Sequence, residues 1–305
     1  MRPATFYTLL LLFVTAIWGV EYVLIHNALD RYPPNVFNAM RFGVAVAAIW
    51  PWLAWRRGSW ALHVDPGLWR ASGLLALLLH LGFVAQTYAM VYTSVSNTAF
   101  ITGLNVVLVP PIALLLLRDP LRIASLAGIG LAVAGLYLMT RSGSSAAQWG
   151  DLLALAGALC FALHIVLTGR YVQDHDALQL TLIQMIAVTL LSVATAWGFE
   201  TLPEGLVTGL LSDREIWLAL FVTGVLGTAL ASIAQAVGQL HISATRVALI
   251  YLAEPIFAAL AAWMLIDERF TSSSATGAVL ILIGILVAEA SPAVRERLAR
   301  VLRAT

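Results

Sequence analysis

The sequence predicts an all-α integral membrane protein: ten transmembrane helices arranged as two inverted five-helix repeats around a central cavity. Three observations predict it. The chain is more apolar than a soluble core requires, its charge-free runs have membrane-crossing length, and its two halves match at a nearly constant offset. Of the 305 residues, 61% are hydrophobic and 11% charged, with a mean hydropathy of +0.89. Soluble domains carry about 45–50% apolar and about 25% charged residues, so the surplus apolar surface has to face lipid.

Residues 3–20, 123–140, 152–169, 177–199, 216–245 and 270–288 contain no Asp, Glu, Lys or Arg. The run 71–117 is also charge-free but too long for one crossing, because a helix spans the hydrocarbon with about 20 residues. It reads as two helices and a turn. The spans fall near 6–26, 35–55, 69–91, 95–117, 122–140, 150–170, 178–199, 215–238, 244–266 and 271–290. The runs do not alternate apolar with polar, which excludes a β-barrel. No convincing small-residue cleavage site follows the first span, and it has a counterpart later in the chain, so it is kept as a span and not read as a signal peptide.

The basic residues exclude further classes. All 17 are Arg, with no Lys. A P-loop needs its phosphate-binding Lys, and a retinal Schiff base needs a Lys amine. A net charge of +1 gives no reason to expect nucleic acid. The single Cys160 lies in an apolar run, so no disulfide is expected, and no His/Asp/Glu cluster has metal-ligand spacing. No cofactor is expected.

Arginine placement sets the orientation. With a cytoplasmic N-terminus, the inside segments hold Arg2, Arg56, Arg57, Arg70, Arg118, Arg122, Arg170, Arg246, Arg295, Arg297, Arg300 and Arg303, and the outside loops hold Arg31, Arg141, Arg214 and Arg269. Both termini are therefore expected in the cytoplasm of a cell with the protein in its inner (plasma) membrane, and the 200–215 loop outside. The tail, 291–305, is expected on the inner leaflet, where anionic lipid attracts Arg.

Shifting 93–140 by 149 positions lays it on 242–289 without a gap. Ser94 meets Ser243, Ala99 Ala248, Ile101 Ile250, Gly128 Gly277 and Gly135 Gly284. Leu81, Ala85 and Gln86 meet Leu230, Ala234 and Gln235 at the same offset. Near the first span an offset of 143 sets Ile17-Trp18-Gly19 against Cys160-Phe161-Ala162, and Glu21 against His164. Each half has five crossings, an odd number, so similar halves must sit in opposite orientations, the usual construction of secondary transporters. The repeats cover 6–140 and 150–290.

Ionisable groups inside spans are costly and tend to face the protein interior or a watery path. Glu21, Arg41, His80, His164 and Glu254 are the embedded ones, with Gln86, Asn105 and Gln235 as polar neighbours. Arg41 reads as a structural cation paired with Glu21 or Glu254. Glu254 also reads as structural, a partner for backbone groups freed by Pro255. His80, Phe83, Val84 and Thr87 share a helix face by spacing, as do Trp18, Glu21 and Tyr22, and Phe161 with His164. Together with Phe100 and Tyr251 they suggest an aromatic-walled, nearly neutral pocket. The substrate-binding candidates are Trp18, Glu21, Tyr22, His80, Phe83, Thr87, Phe100, His164, Gln235 and Tyr251. The glycines of spans five and ten read as close helix packing.

The pattern resembles the drug/metabolite transporter superfamily, in particular its ten-span members with paired EamA-type repeats. The matching pieces are Ile17-Trp18-Gly19, Arg41-Phe42, Thr93-Ser94 with Asn97 to Thr102, Gly128 to Gly135, Ala244 to Ala248, Glu254-Pro255 and Asp267-Glu268-Arg269. Arg118-Asp119-Pro120 departs from the usual acidic turn. The resemblance implies a cavity lined by helices 1, 3, 4, 6, 8 and 9, with 5 and 10 peripheral, and export of metabolites, commonly amino acids. The expectation is therefore a secondary transporter, not an enzyme, that moves neutral or aromatic amino acids outward by alternating access. Its expected partners are that small-molecule substrate, membrane lipid and, as a candidate for coupling, protons. Rival readings are proton-coupled efflux of cationic drugs and an intramembrane enzyme.

Overall fold

The computed structural model describes residues 3–62, 65–93, 95–119, 123–140, 149–202, 213–266, 272–273 and 275–287. Among them there are helices and turns and no strand. Eight helical segments are long and apolar enough to cross a membrane, and two shorter apolar helices, Ile123–Leu138 and Ala275–Val287, stand where spans five and ten are expected. The basic tail, the Asp267-Glu268-Arg269 turn and most of the 200–215 connection lie outside the described residues.

Spans one to three are single helices, α1 (Pro3–Leu29), α2 (Pro34–Arg57) and α3 (Pro66–Tyr92). Span four is α4 (Val95–Gly103) followed by α5 (Asn105–Leu117), and span five is α6 (Ile123–Thr140). In the second half, α7 (Trp149–Tyr171) and α8 (Ala177–Phe199) form spans six and seven. Span eight runs through α9 (Arg214–Leu220), a π-helical stretch Phe221–Leu230 and α10 (Ala231–Gly238). Span nine is α11 (Ala244–Tyr251) with α12 (Glu254–Ile266), and span ten is α13 (Ala275–Val287).

Local chemistry explains the boundaries. Pro34 and Pro66 open their helices, where a missing N–H costs nothing. Asp65 accepts from the Gly67 and Leu68 amides, and Asp213, at the corresponding place in the second half, accepts from those of Glu215 and Ile216. Gly58 closes α2 at φ 66°, the left-handed region that glycine enters without a side-chain clash.

The two breaks are the same break. In span four the Leu104 N–H reaches the Ile101 carbonyl at 3.1 Å, and Val107 reaches Leu104 at 2.9 Å. In span nine Ala253 reaches Ile250 at 3.0 Å, and Ile256 reaches Ala253 at 3.1 Å. Every residue of the second set lies 149 positions after its partner in the first. In span nine the cause is visible, since Pro255 has no N–H to give the Tyr251 carbonyl.

Helix pairing repeats the symmetry. Span three packs on span six as eight packs on one, span four on six as nine on one, and span three on seven as eight on two. Spans two and seven pack together, as do four and nine. Spans five and ten show the direction of the axis. A methyl placed on Gly135 would come within 2.5 Å of the Gly277 carbonyl oxygen, and one on Gly284 within 2.5 Å of that of Gly128. Because 128 faces 284 while 135 faces 277, the two helices run antiparallel. Equivalent residues exchange equivalent contacts, so the axis relating them is perpendicular to the helices, in the plane of a membrane. Large apolar side chains such as Leu115, Ile123, Trp197 and Phe199 are strongly exposed on the outer faces, as a lipid-facing surface requires.

This packing makes a sharp prediction. Gly135→Val should lower membrane abundance several-fold, because overpacking costs about 1–3 kcal/mol or more. Gly130→Val, on the same helix with nothing within 4 Å of its added carbon, should leave abundance unchanged. Quantitative blotting of membrane fractions checks both.

Candidate functional site

A cavity of about 90 Å³ lies between spans one, two, three, four, six, eight and nine. A single water needs roughly 10–15 Å³ by such a measure, so there is room for several waters or a small solute. Its apolar walls are largely aromatic: Trp18, Tyr22, Phe83, Phe161 and Tyr251. Trp18 meets Tyr251 edge-on at 4.6 Å between ring centres, and Phe83 meets Phe161 at 5.2 Å.

The polar part is built from separate networks. The first is a buried ion pair. Arg41 Nη2 donates to Glu21 Oε2 at 3.2 Å, with side-chain exposures of 2% and 4%. Arg41 also donates to Thr228 Oγ1, from Nε at 3.2 Å and from Nη2 at 3.0 Å. The Thr228 hydroxyl passes its own proton to the Thr223 carbonyl at 2.7 Å, five residues back, in the register of the π-helical stretch. The guanidinium carbon lies 4.7 Å from the centre of the Phe83 ring, a cation–π contact.

Gly227 makes this arrangement fit. A Cβ at that position would overlap the Glu21 carboxylate, so the carboxylate occupies the notch the glycine leaves. The same peptide binds Trp18, whose Nε1–H donates to the Gly227 carbonyl at 2.7 Å. Glu21 Oε1, pressed into the notch, has no hydrogen-bond partner.

The other networks are neutral or half-neutral. Gln86 Nε2 donates to the Tyr22 hydroxyl at 3.0 Å, and the Glu254 carboxyl faces the same cavity. Tyr251 donates to Gln235 Oε1 at 2.9 Å. His164 Nε2 meets Gln184 Oε1 at 3.0 Å. An amide oxygen only accepts, so this contact sets Nε2 as the protonated nitrogen and leaves Nδ1 an acceptor. Beside His164 a niche of about 10 Å³, room for one water, is lined by Thr168, Thr181, Gln184, Ser232 and Gln235 among others. The buried Thr168 hydroxyl has no protein partner, so a water there would satisfy it.

Seven of the ten residues expected at the pocket line it: Trp18, Glu21, Tyr22, Phe83, His164, Gln235 and Tyr251. Three do not. His80 turns to span seven, its Nδ1 3.2 Å from Ser192 Oγ. Thr87 turns to span two, accepting from Asn38 Nδ2 at 3.2 Å. Phe100 packs into the apolar cluster around Val106, Leu136 and Ile250. On α3 the lining residues are Leu79, Phe83 and Gln86. At about 100° per residue their common direction lies roughly a quarter turn from His80 and Thr87, so the face chosen from spacing was rotated off the true one.

Other lining residues were read as structural or overlooked. Glu254 faces the cavity, and Arg41 brings span two into a wall expected from six other helices. Thr102, Ser232 and Thr228 also line it. Phe161 was marked by its match to Trp18 at offset 143. No sequence signal singled out Ser232 or Thr228.

The ion pair also has a counterpart. Adding 143 to Glu21 and Arg41 gives His164 and Gln184, which bond each other in the second half. The backbone is repeated there, but the charge is not.

A family model described as the EamA-like transporter family matches residues 5–141 and again 148–289. A protein of Archaeoglobus fulgidus named an uncharacterized transporter is 29% identical over 90% of this chain and 82% of its own. The uncharacterized transporter YyaM of Bacillus subtilis is 26% identical over 94% of each chain. A crystal structure at 20% identity covers 93% of this chain and 96% of that one with a TM-score of 0.75, a likeness of fold.

The buried pair can be tested by a double-mutant cycle. Arg41→Met alone should destabilise the protein by about 3–5 kcal/mol, since it strands a buried carboxylate. Adding Glu21→Leu should recover much of that loss. Thermal unfolding of the purified variants in detergent reads the difference.

Proposed function

Since the chain belongs to the EamA-like transporter family, we propose that it exports small amphipathic amines, amino acids and their derivatives, by alternating access across the cytoplasmic membrane. The observation that carries this reading is the central cavity, where five aromatic rings face buried polar groups at the junction of two inverted halves. Rings bury an apolar side chain and attract an ammonium through their π faces. Carboxylates, amides and hydroxyls orient the polar end, the composition typical of a small-ligand site.

The arginines support the orientation in this reading. Both termini are cytoplasmic in this reading, because the positive excess lies on that side. The units are the two repeats, 6–140 and 150–290, with the tail 291–305 on the inner leaflet. Trp18, Glu21, Tyr22, Phe83, His164, Gln235 and Tyr251 contact the substrate. Protons are candidate partners for coupling.

The test is transport by purified protein in proteoliposomes, with a panel of aromatic and aliphatic amino acids and amines, with and without a pH gradient. Trp18→Ala and Tyr251→Ala should each slow transport about threefold to thirtyfold, the range of one desolvated ring contact with a cation. His80→Ala, which changes a contact with Ser192 outside the cavity, should transport normally. Equal rates for all three variants would sink the cavity assignment.

A further inference from the structure

Count the charges that meet the cavity. Arg41 is the only cationic side chain among the residues lining it, and two carboxylates, Glu21 and Glu254, face it from spans one and nine. His164, from span six, holds its proton on the nitrogen that bonds Gln184. Arg41 is already neutralised by Glu21 at 3.2 Å, held by Thr228 and covered by the Phe83 ring. A substrate carboxylate approaching it would therefore meet the field of Glu21 as well.

Glu254 is in a different position. Among the described residues it forms no ion pair, and it stands at the cavity with its side chain only partly buried. Tyr22 lines the same cavity, and Tyr251, which packs on Trp18, stands three residues before it. A carboxylate without an ion-pair partner, open to a cavity that aromatic residues also line, matches the chemistry of an ammonium group. The carboxylate supplies a charge-assisted hydrogen bond, and the rings supply cation–π attraction.

We propose that Glu254 is the ammonium-recognition group of this cavity, and that the site prefers an amine of net positive charge to a zwitterion or an organic anion. The proposal rests on the cavity being the transport site, and it narrows the substrate to amines whose carboxylate is absent or masked, such as decarboxylated amino acids or their esters and amides. A zwitterion brings a carboxylate that finds only the occupied Arg41, and an anion brings nothing for Glu254.

Three probes sharing one indole ring separate the charges: tryptamine, tryptophan and 3-indolepropionate. Binding to the purified protein in detergent would be measured by isothermal titration calorimetry, beside uptake into proteoliposomes. Tryptamine should bind roughly tenfold or more tighter than tryptophan, the size of one hydrogen bond to a charged group, and 3-indolepropionate should bind weakest. Glu254→Gln should erase the preference for tryptamine. If the Gln variant does not fold, the order of the three probes on the unaltered protein decides. Tryptophan binding as well as tryptamine, or a preference that survives in Glu254→Gln, would overturn the ammonium site. If such a protein still transports, the transporter reading stands. Absence of both binding and uptake for all three probes would overturn the two readings together.

Discussion

The buried pair of Glu21 and Arg41 constrains much of what surrounds it. Two ions removed from water are tolerated when they are paired and most of their remaining donors and acceptors are met. Here that requirement reaches from spans one and two into spans three and eight. It calls for a hydroxyl at Thr228 and an absent side chain at Gly227, and Phe83 places its ring face against the guanidinium. The wide π-helical turn of span eight carries both Gly227 and Thr228 and turns the Thr228 proton back to Thr223. Such stretches are rare and often sit at functional sites. This one forms part of the cavity wall.

The two-fold relation explains the scaffold, and its violations locate the site. Helix breaks at Leu104 and Ala253, caps at Asp65 and Asp213, and the crossed glycines of spans five and ten all obey it. Span three is a continuous α-helix where span eight is π-helical, and an ion pair on one side answers to a His–Gln bond on the other. A symmetric cavity would offer a substrate two equal ends. The halves bring unequal charge, an ion pair from the first and the Glu254 carboxyl from the second, which gives the cavity a polarity and with it a defined way for an asymmetric solute to lie.

How much of this was legible in the sequence follows from the same distinction. Composition, charge-free runs and the offset of 149 report properties repeated over many residues, so the ten-span inverted fold could be read from them. Pairing of Arg41 with Glu21 was also foreseeable, because a lone buried cation needs an acid. Which face of α3 meets the cavity was not, since helical spacing gives relative angles and no absolute one. His80 and Thr87 were placed on the wrong side of that helix, facing Ser192 and Asn38. Glu254 was assigned to the distortion at Pro255, a local explanation sufficient in itself. Its place in the cavity depends on the packing of its helix against spans one and four, which no local pattern encodes. The π-helical stretch is likewise invisible in composition, because Phe221–Leu230 reads as ordinary apolar helix.

The location of the paired groups has a consequence for motion. Glu21 and Arg41 both belong to the first half, and His164 and Gln184 both belong to the second. Contacts that cross between the halves here are of another kind: the Thr228 hydroxyl against Arg41, the Gly227 carbonyl against the Trp18 indole, and the notch around the Glu21 carboxylate. If the halves move relative to one another, those crossing contacts are exchanged while each ion or imidazole keeps its own partner. A hydrogen bond between neutral groups is worth about 0.5–1.5 kcal/mol net and one to a charged group about 1.5–3, whereas stranding a buried charge costs about 3–5. Keeping the charged pair inside one half therefore confines the cost of movement to the cheaper contacts. Glu254 is the exception: it belongs to the second half and faces a cavity lined from both halves, so movement between the halves also changes the environment of a cavity carboxylate that, among the described residues, no cation neutralises.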